Sequence, residues 1–302
     1  MTLQRRPRPP VVAVTGATGT VGRLVAHGLA ADGAADVRLL TRDPARAARQ
    51  GLPGRAVAAD FGERGGLRAA LEGADAVLVV TGDPLRPDHD ENVLAAARAA
   101  GVRRAVKLSA LAVLDPGAQD ALTRWQRDNE ERLRASGLEW TLLRPRAFMT
   151  NTLGWAASVR ADGTVHALGG SGRNACVDPR DVADAAVRAL LDPERAGDAY
   201  ALTGPEPLSA REQTDVLAQI LRRPLRFREL TEEQALERWR ARWPEPLAQA
   251  LLESARRQEA GAKAAVADGV REATGHAPRA FADWARDHAE AFGADPGGTG
   301  RR

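Results

Sequence analysis

Cysteine is almost missing from the chain: Cys176 stands alone among 302 residues. No intramolecular disulfide can form, and a single thiol fits a reducing cytoplasm. Cys176 also has no histidine or lysine beside it in sequence to lower its pKa, so it does not read as a nucleophile. Histidine is sparse, and His27, His89, His276 and His288 show no metal-ligand spacing, so no metal is expected. No apolar run approaches the roughly 18 residues of a membrane span, and no membrane partner is expected. Residues 1–10 are basic and contain prolines but no apolar segment, which reads as a flexible tail and not as a secretory signal. Residues 293–302 are glycine-rich and read as a second flexible tail. A strong charge of either sign is lacking too. The 43 basic and 40 acidic residues leave a net +3, which argues against a nucleic-acid partner. Lysine and tyrosine are scarce: Lys107, Lys263 and Tyr200 are all there are. What is plentiful is core material, since 44% of the residues are hydrophobic. That supports one large domain, or one and a half.

The most informative stretch is Val11-Val12-Ala13-Val14-Thr15-Gly16-Ala17-Thr18-Gly19-Thr20-Val21-Gly22. Four apolar positions run into three glycines spaced three apart, and Val21, Leu24, Val25 and Leu29 then recur at helical spacing. This is a buried strand, a tight turn and a helix start. A pyrophosphate can approach such a backbone closely because side chains are excluded. The helix start offers it free N–H groups and the positive end of a dipole. Gly16 suits the turn, Gly19 the close approach and Gly22 the packing of helix on strand. The alternative is an ordinary glycine-rich turn with no ligand.

Further along, Val37–Thr41, Arg55–Ala59, Asp75–Thr81, Ala105–Ser109 and Trp140–Leu143 read as strands, alternating with helices. The first helix is expected over about Thr20–Asp32, and Asp43-Pro44 is expected to cap the second. Strands that are apolar without alternation are buried on both faces, so the sheet is parallel. The expected fold is α/β: a Rossmann doubly wound parallel sheet with a smaller, mostly helical C-terminal substrate lobe. We place the nucleotide-binding domain at 11–150 and the lobe at 151–292, interleaved with the first and not independent. Capping boxes are expected at Ser209-Ala210-Arg211-Glu212 and Thr231-Glu232-Glu233-Gln234.

The fold assigns a cofactor set: Gly16, Thr18, Gly19, Thr20, Val21, Gly22, Thr41, Arg42, Asp60, Phe61, Thr81, Gly82, Ser109 and Pro145. A carboxylate at the end of strand two would favour NAD. The chain has Thr41-Arg42 there, and an arginine suits the 2′-phosphate, so NADP(H) is preferred over NAD(H). Arg42 as plain solvated surface is the alternative. Asp60 contacts the adenine or caps a helix. Thr81 and Gly82 line the adenosine side, and Ser109 lies near the nicotinamide or bonds the strand end.

With Lys107-Leu108-Ser109-Ala110, these residues resemble the atypical short-chain dehydrogenase/reductase group. They are most similar to its NmrA-like branch, which includes NAD(P)H-dependent quinone oxidoreductases and redox-inactive NADP sensors. The resemblance continues through Glu130-x-x-Leu133-x-x-Ser136-Gly137-Leu138-x-Trp140-Thr141-x-Leu143-Arg144-Pro145-x-x-Phe148-Met149-x-Asn151. It extends through Val177-Asp178-Pro179-Arg180-Asp181-Val182-Ala183, Leu202-Thr203-Gly204-Pro205 and Thr274-Gly275-His276-Ala277-Pro278. It implies a bound NADP(H), with Pro145 against the nicotinamide. Trp125, Phe148, Met149, Asn151, Trp155 and His166 become substrate candidates. Ordinary core or structural roles are the alternatives for Trp125, Phe148, Trp155 and His166.

The departures bear on mechanism. The superfamily's usual proton donor is a tyrosine with a lysine four residues on, and Tyr200 is followed there by Gly204. The histidine that NmrA-like oxidoreductases often carry is replaced by about Gln126, which cannot supply a proton. Ser109, Gln126 and Glu130 remain as weak catalytic candidates, with Glu130 as a plain helix carboxylate the alternative. The chain is therefore expected to be an NADPH-dependent oxidoreductase acting on a small organic molecule, quinone-like or aromatic. Its acceptor must need little help from a proton donor. The alternatives are a redox-inactive NADP-binding sensor and a non-redox isomerase on the same fold. A monomer or homodimer is expected.

Overall fold

The computed structural model describes residues 8–31 and 33–294. Most of the two expected tails (1–7 and 295–302) and Asp32, the expected end of the first helix, lie outside the described residues. The chain opens with β1 (Val11–Val14), α1 (Thr20–Ala31), β2 (Asp36–Thr41), α2 (Pro44–Arg49), β3 (Arg55–Ala58), α3 (Arg64–Leu71), β4 (Ala76–Val79), α4 (Asp88–Ala99), β5 (Arg104–Leu108), α5 (Ala121–Ala135) and β6 (Glu139–Pro145). It continues through α6 (Ala156–Asp162), β7 (Thr164–Ala167), α7 (Pro179–Leu191), β8 (Ala199–Leu202), α8 (Ala210–Leu221), β9 (Arg226–Glu229), α9 (Glu232–Arg240), α10 (Glu245–Glu259), α11 (Gly269–Thr274) and α12 (Phe281–Asp287).

Seven strands form one sheet in the order β3-β2-β1-β4-β5-β6-β8, and β7 pairs with β9 in a separate parallel pair. The β1–β2, β1–β4, β2–β3, β4–β5 and β5–β6 ladders are all parallel. The strand order reverses direction between β1 and β4, which is where an open parallel sheet leaves a crevice for a ligand. The expected Rossmann α/β fold is the observed one. Six of its strands lie where the apolar runs put them, and β8 joins them as the seventh.

The chain forms two compact units. The first comprises 8–109 of the described residues with 125–143 and 182–200, and the second comprises 110–124, 144–181 and 201–294. A division at 150 assigns 182–200 to the second lobe, whereas in the structure this segment belongs to the first unit. Hydrophobic burial builds each unit's own core. In the first, Val77, Val79, Leu71, Leu133 and Leu142 are fully buried. In the second, Trp284, Phe281, Phe292, Leu217 and Val159 cluster, with Trp284 stacked on His288 at 4.4 Å between ring centroids. Each such side chain contributes about 1.5–3 kcal/mol of burial.

Local signals act as the residues dictate. Asp43 caps α2 by accepting from Arg46 N at 2.9 Å, with Pro44 in the first turn. Ser209–Glu212 and Thr231–Gln234 both form complete capping boxes. Asp60 does not cap α3: it accepts from Gly62 N at 2.8 Å in a local turn, and Glu63 occupies the cap position. No helix among the described residues is long and apolar enough to cross a membrane.

Candidate active site

In the first unit the glycine turn follows β1 directly. Thr15 ties it down, donating to Leu78 O at 2.8 Å and accepting from Val80 N at 2.7 Å. Gly16 has φ +59°, and a Cβ there would meet the Val80 carbonyl oxygen at 2.8 Å. Only glycine meets both conditions. A Cβ on Gly22 would run into the Gly16 carbonyl and the Ala17 Cα, so this residue lets α1 pack on the turn. On Gly19 it would touch the Gly16 carbonyl oxygen at 3.2 Å and otherwise face open space. Gly19 and Thr20 are exposed, Thr18 is half-buried and Val21 is core. The first turn of α1 carries no acidic residue, so no carboxylate pre-empts its N–H groups. The turn is a cradle with the space and donors a pyrophosphate needs.

At the end of β2, Arg42 is exposed and makes no ion pair among the described residues. Its neighbour Asp43 is committed to α2, and Thr41 Oγ1 accepts from Asp43 N at 3.1 Å. Phe61 lies edge-on to His89 at 5.8 Å, and its carbonyl accepts from Asn92 at 2.9 Å. Gly82 is exposed with open space around it.

Below the ends of β4 and β5 lies a buried polar network that the residue types alone do not reveal. Lys107, inside an apolar strand, pairs with Asp90 of α4 at 2.7 Å, and both side chains are 0% exposed. Asp90 also accepts from Thr81 Oγ1 and, at 3.0 Å, from Asn129 Nδ2. Lys107 Nζ sits 5.6 Å from the Trp125 ring centroid, while Trp125 Nε1 and Gln126 Oε1 are buried without a hydrogen-bond partner among the described residues. A buried charge survives only if paired, so a lysine in a strand core signals an unseen carboxylate. That signal is in the sequence, but the partner is not.

Ser109 and Glu130 come together. Ser109 Oγ donates to Glu130 at 2.6 Å, both nearly fully buried, and Arg134 donates to the same carboxylate at 3.0 Å. Glu130 accepts hydrogen bonds on both sides, so it holds Ser109 in place. Tyr200 accepts from Arg195 at 2.9 Å and donates to Asp198. Burial, then the hydrogen bond to Asp198, raises its pKa.

The second unit holds the remaining candidates. Pro145 is buried at the end of β6. Phe148 pairs with Val177, Met149 is core at 1% exposure, and Trp155 packs against the same cluster. Asn151 is exposed, and His166 lies on β7 with its Nδ1 buried and without a hydrogen-bond partner among the described residues. Cys176 needs a correction. In space a lysine does lie near it, because Ala175 N donates to the Lys263 carbonyl at 3.1 Å. Burial pushes the thiol up to about 11, against the Gln213 hydrogen bond and the Lys263 and Arg146 charges, which pull it down. Burial therefore outweighs the neighbouring charges and favours the protonated thiol.

A family model described as NAD(P)H-binding matches residues 16–193, from the first glycine of the turn through α7. The chain belongs to the NAD(P)H-binding family. Within it, the relatives sit in the NmrA-like, atypical short-chain dehydrogenase/reductase group. This NAD(P)H-binding chain is 52% identical over 282 residues to the (4-alkanoyl-5-oxo-2,5-dihydrofuran-3-yl)methyl phosphate reductase of Streptomyces griseus, covering 93% of this chain and 99% of that one. It is 35% identical to the NAD(P)H azoreductase of Xenophilus azovorans, covering 94% and 100%. Among solved structures, the NADPH complex of an Escherichia coli quinone oxidoreductase superposes with a TM-score of 0.80 at 25% identity, covering 91% and 99%. The NAD(P)H-binding chain is therefore an oxidoreductase that uses a nicotinamide cofactor, and its glycine cradle fits that group.

Proposed function

We propose that this oxidoreductase uses NADPH to reduce a conjugated double bond activated by two carbonyl groups, in a small phosphorylated lactone. The observation that carries this reading is the 52% identity, along nearly both full lengths, to a reductase named for such a compound. In that named molecule the ring alkene is conjugated both to the ring carbonyl and to the alkanoyl ketone. When bound, the cofactor supplies a hydride equivalent. The carbon that accepts it is β to both carbonyls, so the displaced electron pair spreads over two oxygens as an enolate. Water then protonates the carbon between the carbonyls. No strong acid is needed from the protein, and the residues agree. The Tyr-x-x-x-Lys pair is missing, Lys107 is sealed against Asp90, and Glu130 is held by Ser109 and Arg134. What remains for the chain is to bind and orient.

Gly16, Thr18, Gly19, Thr20, Val21 and Gly22 carry the pyrophosphate in this reading, and Arg42 carries the 2′-phosphate. Phe61, Thr81, Gly82 and Ser109 bind the rest of the cofactor in the first unit, and Phe148, Asn151, Trp155 and His166 of the second unit belong to the substrate. Met149 supports them from the core. The test is direct: purified protein, NADPH and the lactone phosphate are mixed, and loss of the reduced-nicotinamide absorbance is followed beside menadione and an azo dye. Turnover is expected to be fastest on the lactone. Turnover of quinone or dye alone would replace the proposed substrate. Tight NADPH binding without any turnover would return the chain to the sensor reading.

A further inference from the structure

The second unit contains a group of cations that hydride transfer leaves without a task. Its placement follows from main-chain pairing. Val177 N donates to Ala147 O at 2.9 Å, Met149 N donates to Val177 O at 2.9 Å, and Ala175 N donates to Lys263 O at 3.1 Å. Arg146, Cys176 and Lys263 thereby lie on neighbouring segments. Arg257, near the end of α10, joins them: its charge and that of Arg146 both act on Lys263.

The compensation is incomplete. Arg257 is paired to Asp115 at 2.6 Å and to Asp120 at 3.2 Å. Asp120 is further occupied by Thr123 N and Oγ1, at 2.9 and 2.7 Å. Among the described residues Lys263 Nζ bonds only the Ser254 hydroxyl, at 2.7 Å. The Arg146 side chain makes no ion pair or hydrogen bond among the described residues, and its Nε is buried. Burial first, then the charges of Arg257 and Arg146, lowers Lys263 to about 8, with Cys176 and Asp120 opposing them only in part. Holding Lys263 charged near neutrality is therefore costly without a ligand. A dianion would remove that cost, and a phosphate monoester matches an arginine fork beside a lysine point charge.

We infer that Arg146 and Lys263, with Arg257 as the third charge, bind the phosphate group of the substrate. This rests on the proposed lactone reduction: that reading names the reaction, and this one names the side chains that hold the substrate's anionic end.

The test compares the lactone methyl phosphate with its free alcohol, under saturating NADPH, in wild type and in Lys263→Met and Arg146→Met. Each charge-assisted contact corresponds to roughly a tenfold to hundredfold effect. Wild type is expected to prefer the phosphate ester by about 100-fold in kcat/KM. Each variant is expected to lose about 10–100-fold on the ester, mainly through KM, and to leave the alcohol unchanged. Arg146→Lys is expected to recover part of the loss. Lys263→Met removes a costly buried charge and is expected to melt no lower than wild type at pH 7, so misfolding does not mimic the effect. A second readout needs no turnover. With NADPH filling the cofactor's own phosphate sites, inorganic phosphate is expected to raise the wild-type melting temperature, but not that of either variant. Equal use of ester and alcohol by wild type, equal losses on both substrates in the variants, or no phosphate-dependent rise in wild type would overturn the assignment. If neither lactone turns over while the phosphate effect appears in wild type and vanishes in the variants, the anion site stands and the lactone reading falls.

Discussion

Arg42 and Asp43 are adjacent in the chain and have opposite fates. Asp43 is used by its helix, accepting from Arg46 N at 2.9 Å and pairing with Arg49 at 3.4 Å. Arg42 is exposed at the end of β2 with no ion-pair partner among the described residues. A guanidinium there is free to meet a 2′-phosphate, while the neighbouring carboxylate is not free to meet a ribose hydroxyl. Arg42→Asp should therefore weaken NADPH binding by about 10–100-fold, the value of one or two charge-assisted contacts. It should leave NADH binding equal or improved. Fluorescence titration with both cofactors checks this, and unchanged NADPH affinity would remove Arg42 from the site.

At the scale of elements, the Lys107–Asp90 pair joins β5 to α4, and Asn129 brings in α5. It is an ion pair buried to 0% exposure on both sides, so deleting one partner strands the other. Lys107→Met should cost about 3–5 kcal/mol in chemical denaturation, the usual penalty for an uncompensated buried charge. Adding Asp90→Asn should recover part of it, because the neutral amide still accepts from Thr81 and Asn129. A single-variant cost below about 1 kcal/mol would show that water reaches the pair and that it is not buried in solution. The glycine turn is the other element-scale device. Gly16 and Gly22 are fixed by backbone geometry, while Gly19 is left open on the side where a ligand would approach.

For the whole molecule, the chain passes repeatedly from one unit to the other, at 109/110, 124/125, 143/144, 181/182 and 200/201. Neither unit is a continuous stretch that can fold while the rest stays unfolded. Calorimetry should show a single unfolding transition. NADPH at a hundred times its Kd should raise stability by about 2.7 kcal/mol, which for a chain of this size is a shift of about 4 °C. Two transitions, only one of them moved by NADPH, would contradict this.

The α/β class, the parallel sheet and the cofactor turn were legible in the residues because they rest on local rules. Apolar strands without alternation, glycines where a Cβ cannot fit and caps such as Asp43 and Ser209 are written within a few positions of one another. The absence of Tyr-x-x-x-Lys was equally plain. What sequence could not supply were the partnerships made across long separations. Lys107 finds Asp90 and Ser109 finds Glu130 only when α4 and α5 fold back beside β5 and its end. Arg146, Arg257 and Lys263 look like three unrelated surface cations until main-chain pairing sets residues 147, 175, 177 and 263 in register. Local chemistry determined that a dinucleotide is held. Tertiary packing decided which charges are buried and which are left for a ligand, because the cost of a charge depends on its surroundings in space.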